Sequence, residues 1–343
     1  MPTHSCLLTR AHKPDTVTTM SLRLTVHSDA FEAHIGAVAQ ATPSLVPVVK
    51  GNGYGLGRPF LIEKAAALVG TSRKVAVGTV YEARDVPATT PVQILSPIGS
   101  IDTLQIPANA IPTIATVRDL HILQDLGWST SVVVKLASTM SRFGATTGEF
   151  PSLVQAISVA GLTINSCALH VPLSSEPLHA QSIMAEHLAR WLPLIPECVA
   201  VSLSHVTPAD ASTIVQQFPS HTFEVRMGTH LWHGDKSFFT LQAEVLAIHS
   251  CRANDTAGYH NTTVPVDGNL VVIGAGTAHG VSPLSNGDSP FHFDNKRIAL
   301  LEFPYMHNAM GFVPSTQPCP QPGDLVDVQR PLTMVSPDIV IWE

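Results

Sequence analysis

Eight short, apolar, β-branched runs separated by stretches of another periodicity constrain this chain more than any other feature. They are residues 46–50 (VPVVK), 74–79 (KVAVGT), 91–97 (PVQILSP), 110–116 (AIPTIAT), 130–137 (TSVVVKLA), 164–171 (INSCALHV), 198–205 (CVAVSLSH) and 222–229 (TFEVRMGT). Runs apolar at consecutive positions suit strands buried on both faces, as in a parallel sheet. Between them, residues 59–69 (PFLIEKAAALV) place Pro in a first turn and apolar residues at three-to-four spacing, the pattern of an amphipathic helix. Residues 178–191 and 208–218 read the same way. Eight strands alternating with helices predict a (β/α)8 TIM barrel, whose chemistry sits at the C-terminal ends of its strands. A doubly wound open sheet is the alternative.

Beyond about residue 240 the texture changes. Strand-like runs continue at 241–248, 269–274, 297–303, 324–329 and 338–342, but turns rich in Gly, Pro, Asn and Asp replace the helical periods. The expected organisation is an N-terminal extension (1–21), an α/β barrel (22–238) and a mainly β C-terminal domain (239–343).

Charge narrows the function classes. Charged residues make up 13% of the chain, against roughly 25% for ordinary soluble domains. Nineteen Lys and Arg against 26 Asp and Glu leave a net charge of −7, with no basic stripe for nucleic acid. No run of about 18 apolar residues is free of polar breaks, so no membrane span is expected. Five scattered cysteines without a CxxC pair predict neither a disulfide framework nor a metal site. The first twenty residues hold no apolar core of a secretory signal, and Met20 is an alternative start. A cytoplasmic protein is the expectation.

Lysine is scarce, with seven in 343 residues, and Lys50 closes the first strand run before a glycine-rich turn, KGNGYGLG. A lysine there is either a solvated strand-end residue or a nucleophile. An amine desolvated at a barrel mouth has a lowered pKa and can attack an aldehyde. The glycines let backbone approach a phosphate, and Tyr54 can offer it a hydroxyl.

VVKGNGYGLG (48–57) resembles the pyridoxal-phosphate lysine motif of the alanine racemase family. Lys50, Asn52, Tyr54, Gly55 and Gly57 match, and Leu56 stands where the family has a histidine. Further segments resemble the family in order and spacing across about residues 22–330. They are GTVYEARDV (78–86) with PVQILSPIG (91–99), KLASTMSRFG (135–144), RMGTHLW (226–232), GYHNTTV (258–264), GAGTAHG (274–280) and YMHNAM (305–310).

The resemblance implies a homodimeric isomerase that uses pyridoxal 5'-phosphate to interconvert L- and D-alanine, or another small neutral amino acid. Lys50 then holds the cofactor and moves the α-proton on one face. Tyr259, supplied by the partner subunit, moves it on the other. Arg226 faces the pyridine nitrogen, and because a guanidinium keeps its proton the ring stays unprotonated. Related barrel decarboxylases place an acid there, so Arg226 favours racemisation. Arg142 pairs with the substrate carboxylate, and Met306 falls in a substrate-binding segment. Lys135 matches a lysine that is often carbamylated. His170 is expected to hydrogen-bond Tyr259 and link it toward Arg226. Tyr54, Gly228 and Thr229 contact the phosphate, with either Ser204 or Thr207 as a further hydroxyl donor. Ala137 and His307 replace two of the family's acids, and Val281 replaces an aromatic that narrows the entrance. The closing tail, DIVIWE, also departs from the family. These departures predict a substrate bulkier or differently charged than alanine, or weakened alanine turnover. A homologue that binds the cofactor without catalysis is the alternative outside the enzymes.

Overall fold

The computed structural model describes residues 22–70, 73–99, 105–173 and 176–343; the expected extension, 1–21, lies outside them. The chain divides into two compact units. One holds residues 24–240, 331–335 and 340–343, and the other is built on 241–330 with 336–339.

The first unit contains a strand at each of the eight runs. They are β1 (Leu45–Pro47), β2 (Val75–Val77), β3 (Val92–Pro97), β4 (Ala110–Ile114), β5 (Ser131–Lys135), β6 (Thr163–Ala168), β7 (Ala200–Ser204) and β8 (Phe223–Met227). All neighbours pair in parallel, in the order β1-β8-β7-β6-β5-β4-β3-β2. A bridge between Val48 and Ala76, with the Val49 N–H donating to the Ala76 carbonyl at 2.7 Å, brings β1 onto β2 and closes the ring. The strands are largely buried on both faces because helices cover the outside while side chains fill the inside. Lys74, at the N-terminal end of β2, is neutralised in that interior. Its Nζ pairs with Glu224 at 2.8 Å and donates to Asn165 at 2.6 Å.

Among the described residues, eight helices belong to this unit: α1 (Ser28–Ala41), α2 (Arg58–Val69), α3 (Val80–Ala83), α4 (Val117–Asp125), α5 (Phe150–Val159), α6 (Pro177–Trp191), α7 (Pro208–Gln217) and α8 (Thr229–His233). In α2, Leu61, Ile62, Ala65 and Val69 are buried, the stripe that the sequence spacing predicts. Three helices start just past a strand end on reciprocal caps, Thr79 with Glu82, Thr116 with Asp119 and Thr207 with Asp210. Each Thr oxygen accepts an otherwise orphaned N–H of the first turn. Among the described residues no helix follows β3. No described helix is long and apolar enough to cross a membrane.

The second unit is an antiparallel sheet with β9 (Phe239–Cys251), β10 (Gly268–Ile273), β11 (Phe291–Phe293), β12 (Ala309–Pro314) and β13 (Leu325–Val328) in the order β11-β13-β9-β10-β12. The run at 297–303 forms only the two-residue pieces Lys296–Arg297 and Ala299–Leu300. The sequence runs announced neither β11 nor β12. Gly311 and Pro314 interrupt the pattern of β12, yet it pairs with β10 at six successive positions. Val281, which stands where the family has an aromatic, is fully buried.

Candidate active site

The C-terminal strand ends carry chemically active residues because each strand alternates sides and its last inward position faces the barrel mouth. Lys135 ends β5, Ser204 ends β7, and Arg226 lies one residue before the end of β8. Ser204 and Arg226 are register partners on neighbouring strands. Lys50 follows β1 and His170 follows β6. All five line one cavity of about 250 Å3, together with Tyr54, Arg142, Gly228 and Thr229.

The turn after Lys50 places Tyr54. Residues 51, 53, 54, 55 and 57 all have positive φ, which glycine tolerates and which Tyr54 adopts at 56°. The strain is held because α8 braces the turn. Trp232 Nε1 donates to the Val48 carbonyl at 2.8 Å, and His233 Nε2 lies 2.8 Å from the Tyr54 carbonyl. The Tyr54 side chain is therefore buried, with its hydroxyl against Gly228. A Cβ at residue 228 would come within 2.1 Å of that oxygen, so only glycine allows the approach. Burial and, secondarily, the Glu82 carboxylate push the phenol pKa up, so Tyr54 remains a hydrogen-bond donor.

Arg142 sits on a loop fixed to β6. The Ser138 hydroxyl donates to the His170 carbonyl at 2.6 Å, and a bridge from Leu136 to Ala145 closes the loop. Arg142 itself is exposed, over the Phe143 ring. Arg226 is buried. Its Nη2 donates to the Leu169 carbonyl at 2.8 Å, and its Nη1 has no partner. Burial brings it down to about 10, partly opposed by Glu224, so it is a cation at neutral pH.

The cavity is strongly electropositive. Lys50, Lys135, Arg142 and Arg226 line it, and among the described residues no Asp or Glu does. Burial first, then Arg226 and Arg142, bring Lys135 down to about 6. Burial and the same cations, with His205, hold His170 at about 3, so its ring is neutral. Such a site favours an anionic ligand.

The other expected residues take the following places. His170 Nδ1 pairs with Ser204 Oγ at 2.5 Å, and the route toward Arg226 runs through the Leu169 backbone instead of the imidazole. Thr207 does not line the cavity, because its hydroxyl caps α7, donating to Asp210 at 2.7 Å and accepting from the Asp210 N–H at 3.1 Å. Ser204 does line it, with its hydroxyl shared between His170 and the Leu169 carbonyl. Tyr259 and Met306 belong to the second unit, and both are exposed. The Tyr259 ring lies 4.4 Å from that of Tyr305, and Glu302 accepts its N–H at 2.9 Å.

The cavity also includes residues that the sequence reading passed over. His205 follows β7 at a φ of 62°, stacks 4.4 Å from His170 and points Nδ1 at the Val171 carbonyl, 2.8 Å away. Its signal was its place at the seventh strand end. Ser96 and Phe143 also line the cavity, and nothing local in the sequence marks them.

Comparison with known proteins agrees with this geometry. The family described as alanine racemase, N-terminal domain, matches residues 26–235. The alanine racemase of Mycolicibacterium vanbaalenii is 26% identical over 296 residues, covering 78% of this chain and 74% of that protein. That of Mycobacterium tuberculosis is 26% identical over 263 residues, covering 69% and 67%. Among solved structures, alanine racemase from Bartonella henselae with covalently bound pyridoxal phosphate is similar at a TM-score of 0.68 and 18% identity, covering 94% of this chain and 99% of that one.

Proposed function

Since the chain belongs to the alanine racemase family, we propose that it is a pyridoxal-phosphate-dependent racemase of alanine or another small neutral amino acid. The observation that carries the reading is the buried Arg226 beneath a carboxylate-free cavity that Lys50 also lines. The residues fit the cofactor in two respects. Arg226 Nη1 is a buried donor without a protein partner, suited to a ring nitrogen. Tyr54, Gly228 and Thr229 form a narrow cradle of donors suited to a phosphate.

When bound, pyridoxal phosphate supplies an electron sink that makes the α-proton of an amino acid removable. Lys50 would hold the cofactor covalently through its amine and would then move the α-proton on one face of the substrate. Tyr259 moves it on the opposite face, from a second copy of the chain. Arg142 receives the substrate carboxylate through its planar fork. Arg226 withholds its proton from the ring, which favours returning the α-proton over losing carbon dioxide. His170, neutral and tied to Ser204, packs beside this assembly and does not act as an acid. Lys135, an amine brought down to about 6, is largely neutral at pH 7, and that is the form that takes up carbon dioxide to give a carbamate and a proton. The carbamate would then pair with Arg142 and Arg226. Ala137 and His307 lack acids the family carries, and this supports a preference differing from that for alanine.

Added pyridoxal phosphate should give the purified protein a visible absorption band, and optical rotation of either alanine enantiomer, or of a larger neutral amino acid, should decay to zero. Release of carbon dioxide would overturn the reading in favour of a decarboxylase. A coloured protein that leaves every amino acid unchanged would make it a carrier of the cofactor.

A further inference from the structure

We propose that Glu82 is a positioning residue for Lys50, acting through the Gly51 peptide; this rests on the role of Lys50 given above. Glu82 lies in α3, the helix that follows β2, which neighbours β1 in the ring, and its two oxygens are divided. Oε1 accepts the Gly51 N–H at 2.8 Å, immediately after Lys50. Oε2 accepts the Gly78 N–H at 2.6 Å and the Thr79 N–H at 3.1 Å, immediately after β2. One carboxylate thus ties the ends of β1 and β2 together at the cavity wall. Charge-assisted bonds of this kind are about twice as strong as neutral ones.

The carbonyl of Gly51 is held as well. Arg58 Nη1 donates to the Gly51 carbonyl at 2.9 Å, and Arg58 Nη2 pairs with Asp85, three residues beyond Glu82, at 2.7 Å. Gly51, the residue after Lys50, is therefore held at its N–H by Glu82 and at its C=O by Arg58. Gly78 completes the fit. A Cβ there would come within 2.7 Å of Glu82 Oε2 and 3.4 Å of Lys50 Cβ, so the lysine stem lies directly against the clamped strand end. A long, flexible side chain has several rotamers to lose, and fixing its backbone and first carbon removes part of that cost before the amine reacts. The three N–H donors also hold the carboxylate on the backbone.

The test uses the full chain with added pyridoxal phosphate. Glu82→Ala and Glu82→Gln are compared with Thr79→Ala, which removes the other half of the α3 cap and leaves the Gly51 bond in place. Borohydride reduction and peptide mapping locate the attached pyridoxyl group, absorbance titration gives its Kd, and hydrogen exchange follows the amides of 51 and 78. In wild type the label is on Lys50. Glu82→Ala should raise the Kd and lower kcat by about tenfold each, with KM for the amino acid little changed, corresponding to about 1.4 kcal/mol. Its amides at 51 and 78 should exchange faster. Glu82→Gln, which keeps one acceptor, should fall between, and it carries the test if the alanine variant does not fold. Thr79→Ala should resemble wild type in Kd and kcat despite a lower melting temperature. Equal losses in Thr79→Ala and Glu82→Ala would reduce Glu82 to a helix cap, and unchanged Kd and kcat in both Glu82 variants would overturn the clamp. A wild type labelled elsewhere than Lys50 would instead overturn the role of Lys50.

Discussion

Burial between Arg226 and Arg142 leaves Lys135 with a pKa of about 6, far below a lysine in the unfolded chain. The unfolded chain binds this proton at neutral pH and the folded one largely does not, so stability rises with pH from about 6 toward the unfolded lysine value. Lys135→Met should flatten that part of a melting-temperature profile in carbon-dioxide-free buffer; an unchanged slope would contradict the assignment. His170, held at about 3, works in the next window down. Its unfolded form takes a proton near 6.5 and its folded form does not, so stability falls as pH drops from there toward 3. At the proposed catalytic residues, Lys50→Ala should abolish covalent attachment of pyridoxal phosphate, while Tyr259→Phe should keep it and lose exchange on one face. Loss of colour in Tyr259→Phe would contradict its placement. Lys50, Tyr54, Arg142 and Arg226 were legible in the sequence because each sits in a motif with its own glycines or strand. The hydroxyl partner was not, since Ser204 and Thr207 are three residues apart and only the cap bonds of α7 tell them apart.

At the scale of elements, strand ends and helix starts share the work. Thr207→Val should cost about 1 kcal/mol as a lost cap and leave pyridoxal phosphate affinity unchanged, whereas Ser204→Ala should alter the cavity without a capping cost. A matched loss of affinity in Thr207→Val would return it to the binding site. Most of the barrel strands were readable because they are largely buried and apolar, while β6 (TINSCA) has Thr163 and Asn165 exposed in its first half. The reciprocal caps were readable in principle as Thr followed three residues later by an acid, a pattern that also marks Glu82 just past the second strand. The strand β12 was not, because its order comes from six cross-strand partners on β10 and its own residues include Gly311 and Pro314. Nor was Val281, whose burial follows from the packing of the whole sheet.

For the whole molecule, the proposed chemistry needs two faces and therefore two sources of proton. Tyr259, Phe303 and Met306 are exposed large side chains on the second unit. In a homodimer that shares its sites, Lys50→Ala and Tyr259→Phe protomers, each without racemase activity, should complement one another. Random exchange makes half of the dimers mixed with one intact site each, so about a quarter of wild-type activity should return. No recovery, with mixed dimers verified by mass, would place Tyr259 within its own chain. The central claim is tested most directly by incubating the cofactor-loaded protein in deuterated water with each enantiomer of alanine and of larger neutral amino acids. Proton NMR then follows the α-position. The account predicts deuterium at the α-carbon together with formation of the opposite enantiomer, for at least one of these amino acids. Unexchanged α-protons throughout, in a protein carrying pyridoxal phosphate on Lys50, would contradict it.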